Sequence, residues 1–140
     1  MRKFYSYHCN LRLAMNQNLL FYSANILIVD DLPTNLRLLD SVLTQQGYNV
    51  FKAINGKLAL RASTTVDIDL ILLDILMPEL NGYEVCRRLK AEAKTAKIPV
   101  IFLSALNEGF DRLKAFEVGG IDYINKPLVV DELLIKVQTQ

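Results

Sequence analysis

The sequence predicts an α/β protein: a doubly wound, five-stranded parallel sheet covered by helices on both faces. Three observations point there. Short apolar, β-branched runs alternate with amphipathic helical stretches five times along the chain. The runs are apolar on both of their faces, as strands of a parallel sheet buried between helices must be. And 140 residues with 51% hydrophobic and 22% charged side chains suit one globular domain.

The elements follow in order. "ILIVD" (26–30) is a buried strand. "LPTNLRLLDSVLTQQG" (32–47) is helical: Pro33 suits a first turn, Leu36, Leu39 and Leu43 share a face, and Gly47 stops it. "NVFKA" (49–53) is a strand, Asn55-Gly56 a turn, and "KLALRAS" (57–63) a short helix. "LILLD" (70–74) is the third strand. "NGYEVCRRLKAE" (81–92) is a helix with Val85 and Leu89 inward. "IPVIFLSA" (98–105) is the fourth strand, and "GFDRLKAFEVG" (109–119) a helix stopped by Gly119-Gly120. "DYIN" (122–125) and "VVDELLIKVQ" (129–138) are the last strand and helix. Crossovers between parallel strands are expected to be right-handed.

Composition excludes several classes. A net charge of +1 makes no electrostatic case for nucleic acid or an anionic membrane. Residues 1–24 carry Arg2, Lys3 and Arg12 and no acid, leaving 13 basic against 15 acidic residues beyond them. Cys9 and Cys86 form no spacing pattern and read as free thiols, and a single histidine argues against zinc. No apolar run approaches a membrane span, and Leu19–Tyr22 is too short for a secretory core, so the expected location is the cytoplasm. The expected organisation is a poorly ordered extension over 1–24 and one domain over 25–140, with Met15 as an alternative start.

The strand ends carry the chemistry. Strand one ends in Asp30-Asp31, strand three in Asp74, strand four in Ser104-Ala105, and strand five leads to Lys126-Pro127. In a parallel sheet these groups face one crevice beyond the carboxyl ends of the strands. Three carboxylates there need a cation, which Lys126 or a hard divalent ion can supply. Acids without histidine suit Mg2+, and acids with one hydroxyl and one lysine suit phosphoryl transfer to a carboxylate. Singly, each group has a plainer reading: a strand-end Asp is usually a turn former or helix cap. Four strand ends supplying the right groups together favour a site.

The motifs "ILIVDD", "LILLDILMPELNGYEV", "VIFLSA" and "DYINKP" closely resemble the receiver domain of bacterial two-component response regulators, over about residues 25–138. Ser104 and Lys126 lie 30 and 52 residues after Asp74, as in that family. The resemblance implies strand order 2-1-3-4-5. It makes Asp74 the phosphoacceptor and sets the Mg2+ site at Asp31, Asp74 and the Leu76 backbone carbonyl, with Asp30 acting mainly through a bound water. Ser104 and Lys126 would hold the phosphoryl group, with Ser104 and Tyr123 as switch residues and a cis peptide before Pro127. For Tyr123 the alternative is plain half-buried packing. The implied donor is a histidine kinase or histidine phosphotransfer protein docking near Leu32 and Pro33. The implied output is a downstream protein target, with homodimerisation through the fourth helix, fifth strand and fifth helix. Only 14 residues follow Lys126, so a DNA-binding output is not expected within the chain. Leu76 and Leu106 replace side chains that are often polar in the family, which implies slow loss of the phosphoryl group. His8 has no kinase context and is not expected to act.

Three rivals remain. A phosphatase with a catalytic aspartate would need a second acid at the position of Leu76. A nucleotide or flavin binder would need a glycine-rich phosphate loop, which is missing. A receiver-like module that binds partners without phosphorylation would have lost an acid or the lysine, and none is lost.

Overall fold

A computed structural model describes residues 23–105 and 111–140. The expectations for residues 1–22, including His8, Cys9 and Met15, and for Leu106 lie outside the described residues. Five parallel strands, β1 (Asn25–Val29), β2 (Asn49–Ala53), β3 (Leu70–Asp74), β4 (Val100–Ala105) and β5 (Asp122–Lys126), form one sheet in the order β2-β1-β3-β4-β5. Between and after them run α1 (Pro33–Gln45), α2 (Gly56–Thr65), α3 (Gly82–Ala91), α4 (Arg112–Glu117) and α5 (Val130–Gln138).

The period of two along each strand splits the core into two layers. Ile26, Ile28, Leu70, Leu72, Ile101 and Leu103 meet Leu36, Leu39 and Leu43 of α1 and Leu133 and Val137 of α5. The intervening Leu27, Val29, Ile71, Leu73, Val100 and Phe102 meet Ala59 of α2, Val85, Cys86 and Leu89 of α3, and Ala115 of α4. All five residues of β3 are buried, as its central place between β1 and β4 requires.

Local chemistry moved several element ends from where the pattern placed them. β1 stops at Val29, because the Asp30 side chain accepts the Leu32 backbone N–H at 2.9 Å and turns the chain. Asn55 caps α2 instead of making a free turn, accepting the Leu58 N–H at 2.9 Å, so α2 begins at Gly56 and runs on to Thr65. Asn81 caps α3 in the same way through the Glu84 N–H. β4 starts at Val100, since the Ile98 N–H is spent on the Thr95 carbonyl and Pro99 has none. α4 starts only after Asp111, whose side chain accepts the Lys114 N–H at 3.0 Å.

Candidate functional site

The register sets the site. Val29 pairs with Leu73, Asp74 with Leu103, and Ala105 with Lys126, so the carboxyl ends of four adjacent strands finish side by side. The buried strands thus deliver polar groups to the sheet's edge. Asp30 is fully buried, and Asp74 and Ser104 are each 3% exposed.

Asp30, Asp31 and Asp74 bring one carboxylate oxygen each to within 4.8 Å of one another. Lys126 Nζ lies 3.0 Å from both Asp30 Oδ2 and Asp74 Oδ1. Asp30 is held further by Asn35, whose side-chain amide donates to Oδ2 at 3.0 Å. Asp30 is therefore both the turn former of the plainer reading and a member of the cluster.

Burial is the largest influence on Asp74. Together with the nearby charges of Asp30 and Asp31 it outweighs Lys126 and pushes the carboxyl up to about 6. Burial works against the Lys126 charge, but its hydrogen bonds to Asp74 and Asp30 prevail and hold its pKa above the usual lysine value. One ammonium thus compensates three acids only in part. The donor set is all oxygen, with no imidazole or thiolate, which fits a hard divalent ion such as Mg2+. The Leu76 carbonyl, two residues after Asp74, accepts no backbone hydrogen bond among the described residues.

Of the other residues singled out from the sequence, Ser104 follows Leu103, the register partner of Asp74, and Tyr123 pairs with Phe102 of β4. The Ser104 hydroxyl makes a long 3.3 Å bond to the Ala105 carbonyl. Tyr123 sits half-buried on the edge strand β5, with its hydroxyl accepting a hydrogen bond from Arg112 and Arg112 and Lys136 each 4.9 Å from its ring centre. The Lys126–Pro127 peptide is cis. The Leu76 side chain is 48% exposed.

Two supporting residues were missed. Asn35 carries no signal, being one polar residue on a helix. In the sequence Gly82 shows only as part of the start of the helix expected over 81–92. Its role is close approach: a Cβ at Gly82 would lie 2.3 Å from the Asp74 carbonyl oxygen, and its N–H donates to the Ile75 carbonyl at 2.8 Å. A cavity of about 470 Å3 opens elsewhere, between the ends of α2 and α3, and shares no residue with the acids.

Known proteins resemble this chain in sequence and in fold. Residues 26–138 match the family model for the response regulator receiver domain. The chain is 41% identical over 113 residues to the response regulator PleD of Caulobacter vibrioides, covering 81% of this chain and 24% of that protein. It is 43% identical over 114 residues to a probable cyclic di-GMP phosphodiesterase of Vibrio cholerae, covering 81% of this chain and 26% of the relative. It thus spans about a quarter of the length of these two relatives. Among solved structures, the receiver domain of sensor histidine kinase PA1611 from Pseudomonas aeruginosa, with a magnesium ion coordinated in its active-site cleft, superposes with a TM-score of 0.77 at 31% identity, covering 84% of this chain and 97% of that one. Fold, strand order and sequence agree: the chain belongs to the response regulator receiver domain family.

Proposed function

We propose that this receiver takes a phosphoryl group onto Asp74 from the phosphohistidine of a histidine kinase or histidine phosphotransfer protein. The observation that carries the reading is Lys126 Nζ at 3.0 Å from both Asp30 and Asp74 at the carboxyl edge of the sheet. An Asp74 oxygen attacks phosphorus in line, the P–N bond breaks, and the imidazole leaves with the electron pair and picks up a proton. At neutral pH Asp74, pushed up to about 6, is mostly ionised and fit to attack. Asp30, Asp31, Asp74 and the Leu76 carbonyl would hold Mg2+, which when bound neutralises charge on the transferred group.

After transfer, Lys126 remains beside the new anion. Ser104, whose hydroxyl makes a long bond to the Ala105 carbonyl, turns that hydroxyl toward the phosphoryl oxygens. Tyr123 leaves Arg112 and rotates into the space behind Ser104. The equilibrium between two arrangements of α4, β5 and α5 shifts accordingly. That face exposes Leu113, Phe116 and Ile135, and it would be read by a downstream protein or a second copy of the chain. Leu32 and Pro33, exposed at the start of α1 beside the acids, would meet the donor. The unit is residues 25–140, acting in the cytoplasm; among the described residues no helix is long and apolar enough to cross a membrane.

The test is intact mass after incubation with acetyl phosphate, with and without Mg2+, for the protein and for Asp74→Asn. A Mg2+-dependent phosphoryl adduct absent from the variant supports the reading. A folded protein that binds Mg2+ but takes no adduct would instead be a binding module independent of phosphorylation.

A further inference from the structure

α4 is the most weakly anchored helix of the switch face: of its six residues only Ala115 is buried. Its start is nevertheless gripped from both sides by tyrosines. On the β5 side, the Tyr123 hydroxyl accepts from Arg112, whose guanidinium lies 4.9 Å from the ring centre. On the opposite side, Tyr83 of α3 takes both backbone groups of Asp111, the residue that caps α4. Its hydroxyl accepts the Asp111 N–H at 3.1 Å and donates to the Asp111 carbonyl at 3.4 Å. The Tyr83 ring repeats the pattern of Tyr123, with the Lys114 ammonium 4.9 Å from its centre. The ring itself is seated against Phe102 of β4, with centroids 5.5 Å apart. Tyr83 is thus fixed to the rigid sheet at one end and to the first turn of α4 at the other.

We propose that Tyr83 is a second positioning residue for α4, holding the helix in its resting place independently of Tyr123. The two grips differ in how the phosphorylation signal reaches them. Resting on the switch reading above, movement of Tyr123 releases Arg112 but leaves the Tyr83 bonds intact. Those bonds must then break, or carry α4 about Asp111 as a pivot, before the face rearranges. Where they break, Tyr83 opposes the rearrangement, and removing its hydroxyl loosens α4 even without a phosphoryl group.

The variant that isolates the hydroxyl is Tyr83→Phe, which keeps the ring against Phe102. Native-state hydrogen exchange on the unphosphorylated chain is the readout, comparing amides of Asp111 and α4 with those of β4. Loss of one hydrogen-bonded grip predicts protection lowered about fivefold at Asp111 and through α4, with β4 unchanged. Tyr83→Phe combined with Tyr123→Phe should lower α4 protection further than either alone. Unchanged protection at α4 in Tyr83→Phe would overturn the proposal. So would an equal loss in β4, which would mark Tyr83 as an ordinary packing residue. These readouts need no phosphodonor, so failure of Asp74 to take a phosphoryl group would count against the functional reading and leave this one standing.

Discussion

Asp74→Asn should stabilise the folded domain at neutral pH while abolishing the chemistry. Asp74 is 3% exposed, and its carboxyl is pushed from an ordinary 3.8 up to about 6, by burial first and then by Asp30 and Asp31. Between those two values the unfolded chain has released this proton and the folded one still holds it. Stability from this group is therefore full below about 4, falls as pH rises toward about 6, and stays low above it. The cost of the charged form in the fold is about 3 kcal/mol. Asparagine keeps the shape and loses the charge. It also weakens the bond from Lys126, which costs about 1 kcal/mol of the gain. The net expectation is about 2 kcal/mol in favour of the variant at pH 7.5. Urea unfolding of both proteins at pH 4, 5, 6 and 7.5 gives the difference directly, and titrations common to both cancel in it. The two proteins should converge near pH 4 and separate through pH 6. Parallel profiles, or a variant less stable at pH 7.5, would refute the electrostatic account of the site. Mg2+ should raise the melting temperature of the parent and leave Asp74→Asn nearly unaffected.

Other expectations rest on neighbouring residues. Lys126→Met leaves Asp30 and Asp74 without their shared ammonium, and should cost about 3 kcal/mol at pH 7.5 by denaturant unfolding, with part of the loss restored by Mg2+. Gly82→Ala places a Cβ 2.3 Å from the Asp74 carbonyl oxygen, a backbone atom that has no room to give, so a loss of about 3 kcal/mol is expected in the same assay. Leu76→Asn puts a polar side chain two residues after the proposed acceptor in place of an apolar residue that is 48% exposed. It should shorten the life of the phospho-form, followed by mass after the phosphodonor is removed, and a parent phospho-form that already decays within seconds would contradict this.

How much of this was legible in the sequence varied with the kind of feature. Element type was legible because the periods of two and 3.6 differ sharply in runs such as "ILIVD" and "LRLLDSVL". The ends were less so, because they depend on single hydrogen bonds. Asp30 leaves the strand to take the Leu32 N–H, and Asn55 caps a helix where the pattern shows a turn. The acids, Ser104 and Lys126 were legible because parallel topology turns separate strand ends into one place. Their support was not: Asn35 and Gly82 act through a single bond and a single close approach, and neither leaves a periodic trace. In the sequence Tyr83 shows only as part of a helix start, since its partner Asp111 lies 28 residues away.

The central claim is that Asp74, and neither of the acids beside it, receives the phosphoryl group. The most direct test treats the protein with acetyl phosphate and Mg2+ and reduces the acyl phosphate with borohydride, which converts the modified aspartate to homoserine. Peptide mass mapping then locates it. The account predicts homoserine at Asp74 alone, and none without Mg2+. Homoserine at Asp30 or Asp31, or none in a folded protein with Mg2+ bound, would contradict it.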